Sequence, residues 1–406
     1  MISKDEQNKK ITFIAATKFH VIMSYILRYS FPEEYKKCIV ISDTMDDGEV
    51  IFENIKTLSN WDDAIFVKGK ILRDVNRGNH LKRLIRFINF KFEIEKLIKD
   101  KNIQRICFFT HGDVCSNIFS SSKYPQEIYL GEDGTFPYYG GIEMYDSFKN
   151  LNFLMQSTIS SVYKFKSTFE YLVKKYFFNY LIVDYCDRVQ KVILLRPDLY
   201  CNNYDSIKKD ILKVTYNTKI IADSFDELSK LFNYKECDIY NNVDVVYFDS
   251  AMVRPDVCLE EQVKFTLHLL SYFKDKKILI KPSPRSNPEK HNYYEMLSKE
   301  RNNIFIDNLN GKIPWEVIFY NNSDLLKNVI ISSQRSTACH SSYLLFGAEN
   351  DVVLFSKLIL EKYNSSEEEK KDTHLYIKYV ENIFKCYKKK SIYIPSKLSE
   401  LNLSNN

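Results

Sequence analysis

Residues 11–41, ITFIAATKFHVIMSYILRYSFPEEYKKCIVI, decide the reading of the fold. Ile11 to Ala16 is a short apolar block, Phe19 to Arg28 repeats its apolar residues at helical spacing, and Cys38 to Ile41 is a second short block. Blocks of four to six apolar residues fit buried strands, and the longer periodic stretch fits a helix. A strand, a helix and a strand in succession imply a parallel pair joined by a crossover.

The pattern continues on both sides of residue 150. Ala64 to Val67, Ile106 to Phe109 and Glu127 to Leu130 read as further strands, with a helix over Leu81 to Ile98. After a long helical segment from about Ser157 to Tyr180, a second series is expected at Val192 to Leu195, Ile220 to Ala222, Val245 to Phe248, Ile278 to Ile280, Ile304 to Ile306, Val329 to Ile331 and Val352 to Phe355. The fold class is therefore α/β, with two Rossmann-like parallel-sheet domains. Boundaries are expected at 1–190 and 191–372, followed by a C-terminal helical segment, 373–406, that could bridge back to the first domain.

A chain of 406 residues is long enough for two such cores. Its 45% hydrophobic and 27% charged residues exclude a disordered chain. The net charge of +5 is too mild to diagnose nucleic-acid binding, and no nucleic-acid partner is expected, but it suits an acidic substrate or an anionic membrane surface. Nine cysteines between Cys38 and Cys386 form no CxxC pair, which argues against a disulfide framework or a zinc site and for a reducing compartment. Met1 to Lys10 lacks the apolar core of a signal peptide, and no apolar run reaches the roughly 18 residues needed to span a bilayer. The expectation is a cytoplasmic protein, with peripheral contact to the inner membrane as an option. The Tyr163 to Lys175 segment, which interleaves aromatic residues with lysines, would make that contact, although an amphipathic interdomain helix explains it as well.

Parallel sheets bind ligands at the carboxyl ends of their strands, and the chemically suggestive residues fall there. Gly131-Glu132-Asp133-Gly134-Thr135 follows the apolar run to Leu130 and sets two adjacent carboxylates in a glycine-bracketed turn. Such a pair suits a general base that deprotonates a hydroxyl, although Glu-Asp-Gly alone is a common surface turn. Thr17 and His111 also follow strands of the first half. In the second half, Lys281-Pro282-Ser283-Pro284-Arg285 is a proline-stiffened loop with two cations and a hydroxyl, suited to holding a phosphate. Ser332, Ser333, Ser336 and Thr337 precede a helical segment reaching about Phe346, where hydroxyls and free amides suit an anion. Between them, Pro314-Trp315-Glu316 reads as a helix start whose carboxylate can accept hydrogen bonds from two sugar hydroxyls. The two sets imply a cleft between domains. Asp43 to Asp47 and Asp62-Asp63 read as solvated loop residues rather than metal ligands.

Taken in order, these motifs resemble those of the bacterial sialyltransferases of GT-B fold, the lipooligosaccharide and polysialic acid groups: an acid-acid-Gly motif, a Lys-Pro-His-Pro-Arg-like loop, a Pro-aromatic-Glu segment and a Ser-Ser/Thr motif. The matching positions are Glu132-Asp133-Gly134, Lys281 to Arg285, Pro314-Trp315-Glu316 and Ser332-Ser333, within about residues 105 to 345. Phe248 to Gln262 also looks like the segment that opens the family's nucleotide domain. The resemblance implies an inverting transfer from CMP-sialic acid to a hydroxyl of a cell-surface glycan, with no metal and no further cofactor. Asp133 would be the base, with Glu132 as second choice. Glu316 would hold the cytidine ribose, and Ser332 with Ser333 the phosphate.

One position departs from the family. Where the family has a histidine before the second proline, this chain has Ser283, a hydrogen-bond donor but a poor acid at neutral pH. Charge from Lys281 or Arg285 could suffice, or His111 or His291 could supply the proton. A polysialyltransferase, a transferase of another CMP-linked nonulosonic acid, a hexosyltransferase of the same fold, and a non-catalytic nucleotide- or glycan-binding protein remain open.

Overall fold

A computed structural model of the protein describes residues 9–58, 60–72, 80–110, 113–134, 188–199, 210–214, 217–249, 257–283, 288–363, 367–385, 392–397 and 400. Among these residues the chain forms two compact units, 1–231 and 232–406, each built on a wholly parallel sheet. The α/β class with two Rossmann-like sheets is the one the sequence predicts.

The first sheet contains β1 (Lys10–Ala15), β2 (Lys36–Ser42), β3 (Asp63–Val67), β4 (Arg105–Phe108), β5 (Glu127–Gly131), β6 (Val189–Leu194) and β7 (Asp210–Lys213), in spatial order β3-β2-β1-β4-β5-β6-β7. Its helices are α1 (Lys18–Leu27), α2 (Gly48–Leu58), α3 (His80–Asp100), α4 (Val114–Ser121) and α5 (Thr218–Leu231). The first chain step fixes the pattern. Ile11, Phe13 and Ile14 are buried on both faces of β1, and Thr17 then caps α1 by accepting the His20 N–H at 3.2 Å.

Two expectations change here. Ile220 to Ala222 is helical, not a strand: Asn217 accepts the Ile220 N–H, and Ile221, Phe225, Leu228 and Leu231 recur every three or four residues on the buried face of α5. The domain boundary also moves from 190 to 231, because β6 and β7 extend the first sheet and α5 packs back on α1 and α2. Arg28, stacked near Tyr25 and Trp61, pairs with Glu227 at 2.8 Å, and Asn54 donates to the Leu231 carbonyl.

The second sheet contains β8 (Val245–Phe248), β9 (Ile278–Lys281), β10 (Ile304–Ile306), β11 (Ile330–Ser333), β12 (Val352–Leu354) and β13 (Ile392–Tyr393), in order β10-β9-β8-β11-β12-β13. Flanking helices are α6 (Leu259–Leu270), α7 (Pro288–Glu300), α8 (Trp315–Asn321), α9 (Ser323–Leu326), α10 (Ala338–Phe346), α11 (Ser356–Lys362) and α12 (Glu367–Lys385). One face packs Val245, Tyr247, Ile278 and Ile280 against Phe265, Leu269 and Tyr294 of α6 and α7. The other sets Phe248 edge-on to Trp315 at 5.1 Å and stacks Phe319 on Phe346. Each fully buried side chain of this kind contributes roughly 1.5–3 kcal/mol. The C-terminal segment is part of the second unit rather than a bridge: α12 sets Tyr376 and Tyr379 against His340 of α10, and β13 closes the second sheet. Among the described residues no helix is long and apolar enough to cross a membrane. Tyr163 to Lys175 lies outside them.

Both sheets therefore share one order, in which the first strand is central and the chain reverses direction beside it. Crevices at the carboxyl ends of such switch points, β1/β4 and β8/β11, are where doubly wound sheets receive ligands.

Candidate active site

In the first unit the site grows from a missing side chain. A Cβ on Gly131, the last residue of β5, would stand 2.5 Å from Phe109 Cε1, so only glycine admits the Phe109 ring there. That ring lies nearly parallel to His20, 5.1 Å away and tilted by 20°. His20 occupies the first turn of α1 and is 0% exposed. Its Nδ1 accepts the Ala16 N–H at 3.2 Å, which puts the ring proton on Nε2. Nε2 lies 3.0 Å from Asp133 Oδ1, so it donates to that carboxylate. The Asp133 side chain is 36% exposed, and Gly134 then turns through the left-handed region at φ 59°.

The two acids of the predicted pair have different surroundings. Glu132 is 0% exposed and accepts the Leu195 N–H on Oε2 at 2.8 Å, tying the end of β5 to the end of β6. Asp133 alone of the two reaches solvent. Thr17 serves as the α1 cap, one helical turn before His20 contacts Asp133. His111 and Thr135 lie outside the described residues. Asp43 and Asp62 each accept a backbone N–H, from Lys70 and Lys37, and Asp63 pairs with Lys101. These are loop and sheet-edge roles.

In the second unit Lys281 ends β9 on the Phe248 face, and its Nζ donates to the Gly311 carbonyl at 3.1 Å. Trp315 and Glu316 open α8 after Pro314, as the sequence predicts, and both are buried. Burial pushes the Glu316 carboxyl above its usual range, opposed by its own backbone amide, a hydrogen bond from Ser341 of α10 and the Lys281 charge. Pro282 and Ser283 are half-buried just beyond β9, and Arg285 lies outside the described residues.

The hydroxyl run divides. β11 continues two residues past its expected end, so Ser332 and Ser333 are strand residues with no exposure, and the Ser333 hydroxyl donates to the Phe248 carbonyl at 2.9 Å. Both lie at the carboxyl end of the strand, buried beneath the turn that carries Ser336 and Thr337. Ser336 and Thr337 lie in the turn before α10, with Thr337 exposed. Tyr376 of α12 donates to the Ser336 carbonyl, and the neighbouring Arg335 guanidinium sits 5.0 Å above the Tyr376 ring. His291 pairs with Glu295 on its own helix, α7.

The opposite face of the second sheet holds a further polar group. Lys290 of α7 and Asp249, just beyond β8, form a 2.7 Å ion pair with side chains only 6% and 0% exposed. A small pocket adjoins it, lined by Gln262, Thr266, Lys290 and Gln334 with Phe265 and Ile359.

His20, Ser341 and the Asp249–Lys290 pair are the residues that sequence reasoning missed. The available signal for His20 was its position: a histidine three residues after a capping threonine, directly behind a central strand. Its partner lies 113 residues away, and no local pattern links the two.

No protein-family model and no curated protein sequence matches the chain. Among solved structures it is similar to the UDP-GlcNAc 2-epimerase of Neisseria meningitidis bound to UDP-GlcNAc, at 11% identity and TM-score 0.46 over 93% of this chain and 91% of that one. It is also similar to MurG of Acinetobacter baumannii, at 9% identity and TM-score 0.42 over 97% and 89%, and to S. aureus MnaA with UDP, at 12% identity and TM-score 0.48 over 97% and 94%.

Proposed function

We propose that the protein is an inverting glycosyltransferase that moves sialic acid from CMP-sialic acid to a hydroxyl of a cell-surface glycan. The observation that carries the reading is Asp133: a partly exposed carboxylate at the carboxyl end of a parallel strand, with a buried donor behind it and part of its surface open to an acceptor. In this reading Asp133 takes the acceptor proton while the acceptor oxygen bonds to the anomeric carbon. The bond from that carbon to the phosphate oxygen breaks, and its electron pair leaves with CMP. One displacement inverts the centre.

The second unit supplies the donor half. Glu316 accepts from the ribose hydroxyls, and Lys281, Arg285 and the Ser336-Thr337 turn meet the phosphate charge, so the reading needs no metal. Ser283 hydrogen-bonds the leaving phosphate. A phosphate monoester has its second pKa near ~6, so CMP departs without full protonation. Glu132 braces β5 against β6 rather than taking the proton.

Titrating CMP, UDP and GDP against the melting temperature tests this directly, since a ligand of the native state raises it by mass action. CMP should give the largest rise, and CMP-sialic acid should then support transfer or donor hydrolysis. A preference for UDP would replace the donor with a hexose nucleotide. CMP binding without turnover of any CMP-sugar would leave a binding protein.

A further inference from the structure

We propose that His20 is the positioning residue of the base: a neutral ring, clamped by Phe109 and the Ala16 amide, whose Nε2–H holds Asp133 in its charged, outward-facing form. This rests on the reading of Asp133 as the base. It assigns a role to a residue that belongs to none of the motifs.

The geometry separates the ring from ordinary buried histidines. A histidine in the core needs its polar atoms satisfied, and backbone partners would suffice. His20 spends only Nδ1 on backbone and aims Nε2 at a carboxylate brought from another strand. The orientation is held three times over. Thr17 caps the turn that carries the ring, Phe109 stacks on it, and Gly131 leaves room for Phe109. The ring itself has no exposed surface, so an acceptor meets Asp133 and not the imidazole.

When Asp133 accepts a proton from the acceptor hydroxyl, the His20 proton stays on Nε2, because Nδ1 faces an N–H and cannot accept a second proton. The ring is therefore not a relay. It favours the carboxylate over the carboxylic acid and fixes how the carboxyl group is turned. Among the described residues, the other charged groups at these strand ends include Lys18, which pairs with Asp47, Arg196, which pairs with Asp198, Asp113, which caps α4 through the Ser116 N–H, and Glu132, which accepts from Leu195.

Two variants test the proposal. His20→Phe keeps a ring against Phe109 but has no donor, whereas His20→Gln keeps an N–H near the Nε2 position. In His20→Phe the acid limb of kcat/KM should move to higher pH by about one to two units, the equivalent of losing a hydrogen bond to a charged group. Turnover below that limb should fall about ten- to a hundredfold, with nucleotide affinity unchanged. His20→Gln should keep the limb near its wild-type position. Equal losses in both variants with an unmoved limb would make the histidine a packing residue and overturn the proposal. Carboxyl NMR titration of Asp133 gives a readout independent of turnover, and it should move upward in His20→Phe alone. If the wild-type protein transfers no sugar, that titration still decides the role of His20. An Asp133 titration unaltered by loss of the ring would reject it.

Discussion

In the first unit Asp133, just beyond β5, stands 36% exposed and accepts from a buried histidine, whereas in the second unit Glu316, Lys281, Asp249 and Lys290 are all sunk into the protein. The strand orders correspond, so topology is not the cause. The difference lies in the partners of each group. After β1 and β5 come a capped helix and a glycine turn, and Asp133 keeps part of its surface in solvent. In the second unit Asp249 pairs with Lys290 of α7, and Glu316 of α8 has Ser341 of α10 and Lys281 as its polar neighbours, all of them buried. A partly exposed carboxylate held by a hydrogen bond costs the fold little. Buried charges cost several kcal/mol each unless paired. The exposed carboxylate of the first unit therefore costs little stability, whereas the buried acids and lysines of the second depend on their partners.

Removing the charge at each site, with activity and stability read separately, distinguishes the two units. Asp133→Asn should reduce transfer by about 10²- to 10⁴-fold, the range for losing a general base, with the melting temperature and CMP affinity nearly unchanged. Glu132→Gln, next to it, should behave oppositely, lowering the melting temperature by weakening the Leu195 tie while retaining more activity. A larger catalytic loss in Glu132→Gln than in Asp133→Asn would reverse the assignment.

Lys290→Met probes the second unit. It leaves the Asp249 charge in the interior without its lysine, and urea denaturation should show about 3–5 kcal/mol of lost stability, as for other buried pairs broken on one side. Asp249→Asn/Lys290→Met together should recover part of it. A loss under about 1 kcal/mol in the single variant, typical of a surface pair, would mean that the interior there is well hydrated.

The smallest effect expected is on pH dependence, at Glu316. Its carboxyl is raised by burial, so the folded protein holds a proton that the unfolded chain has already released. The associated stability is fully present below the ordinary carboxyl value and is lost as pH rises through the elevated one. Glu316→Gln should remove that decline and make the protein more stable than wild type at neutral pH, while weakening nucleotide binding. Identical pH–stability curves for the two proteins would show that Glu316 is solvated after all.

The alternation of apolar blocks with periodic stretches was enough to establish two parallel sheets, because strands buried on both faces must be continuously apolar and their crossovers must be amphipathic. It located eleven of the thirteen strands among the described residues to within a few positions. It failed at Ile220 to Ala222, where three apolar residues fit a strand or a helix equally and only packing on α1 and α2 decides. It also missed β7 and β13, both short edge strands whose pairing, not composition, defines them. Motif order likewise identified Asp133, Lys281, Trp315 and Glu316 as residues at strand ends or helix starts beside them. The family resemblance ranked Asp133 above Glu132, but the local pattern could not, because adjacent residues in a strand-end turn point in opposite directions and one register step decides which is buried. Nor could it reveal His20 as the partner of Asp133, or Lys290 as that of Asp249. Local pattern reports which residues a chain places at the carboxyl end of a sheet. Which of them meet depends on strand order, and contacts across 113 or 41 residues exist only once the sheets have formed.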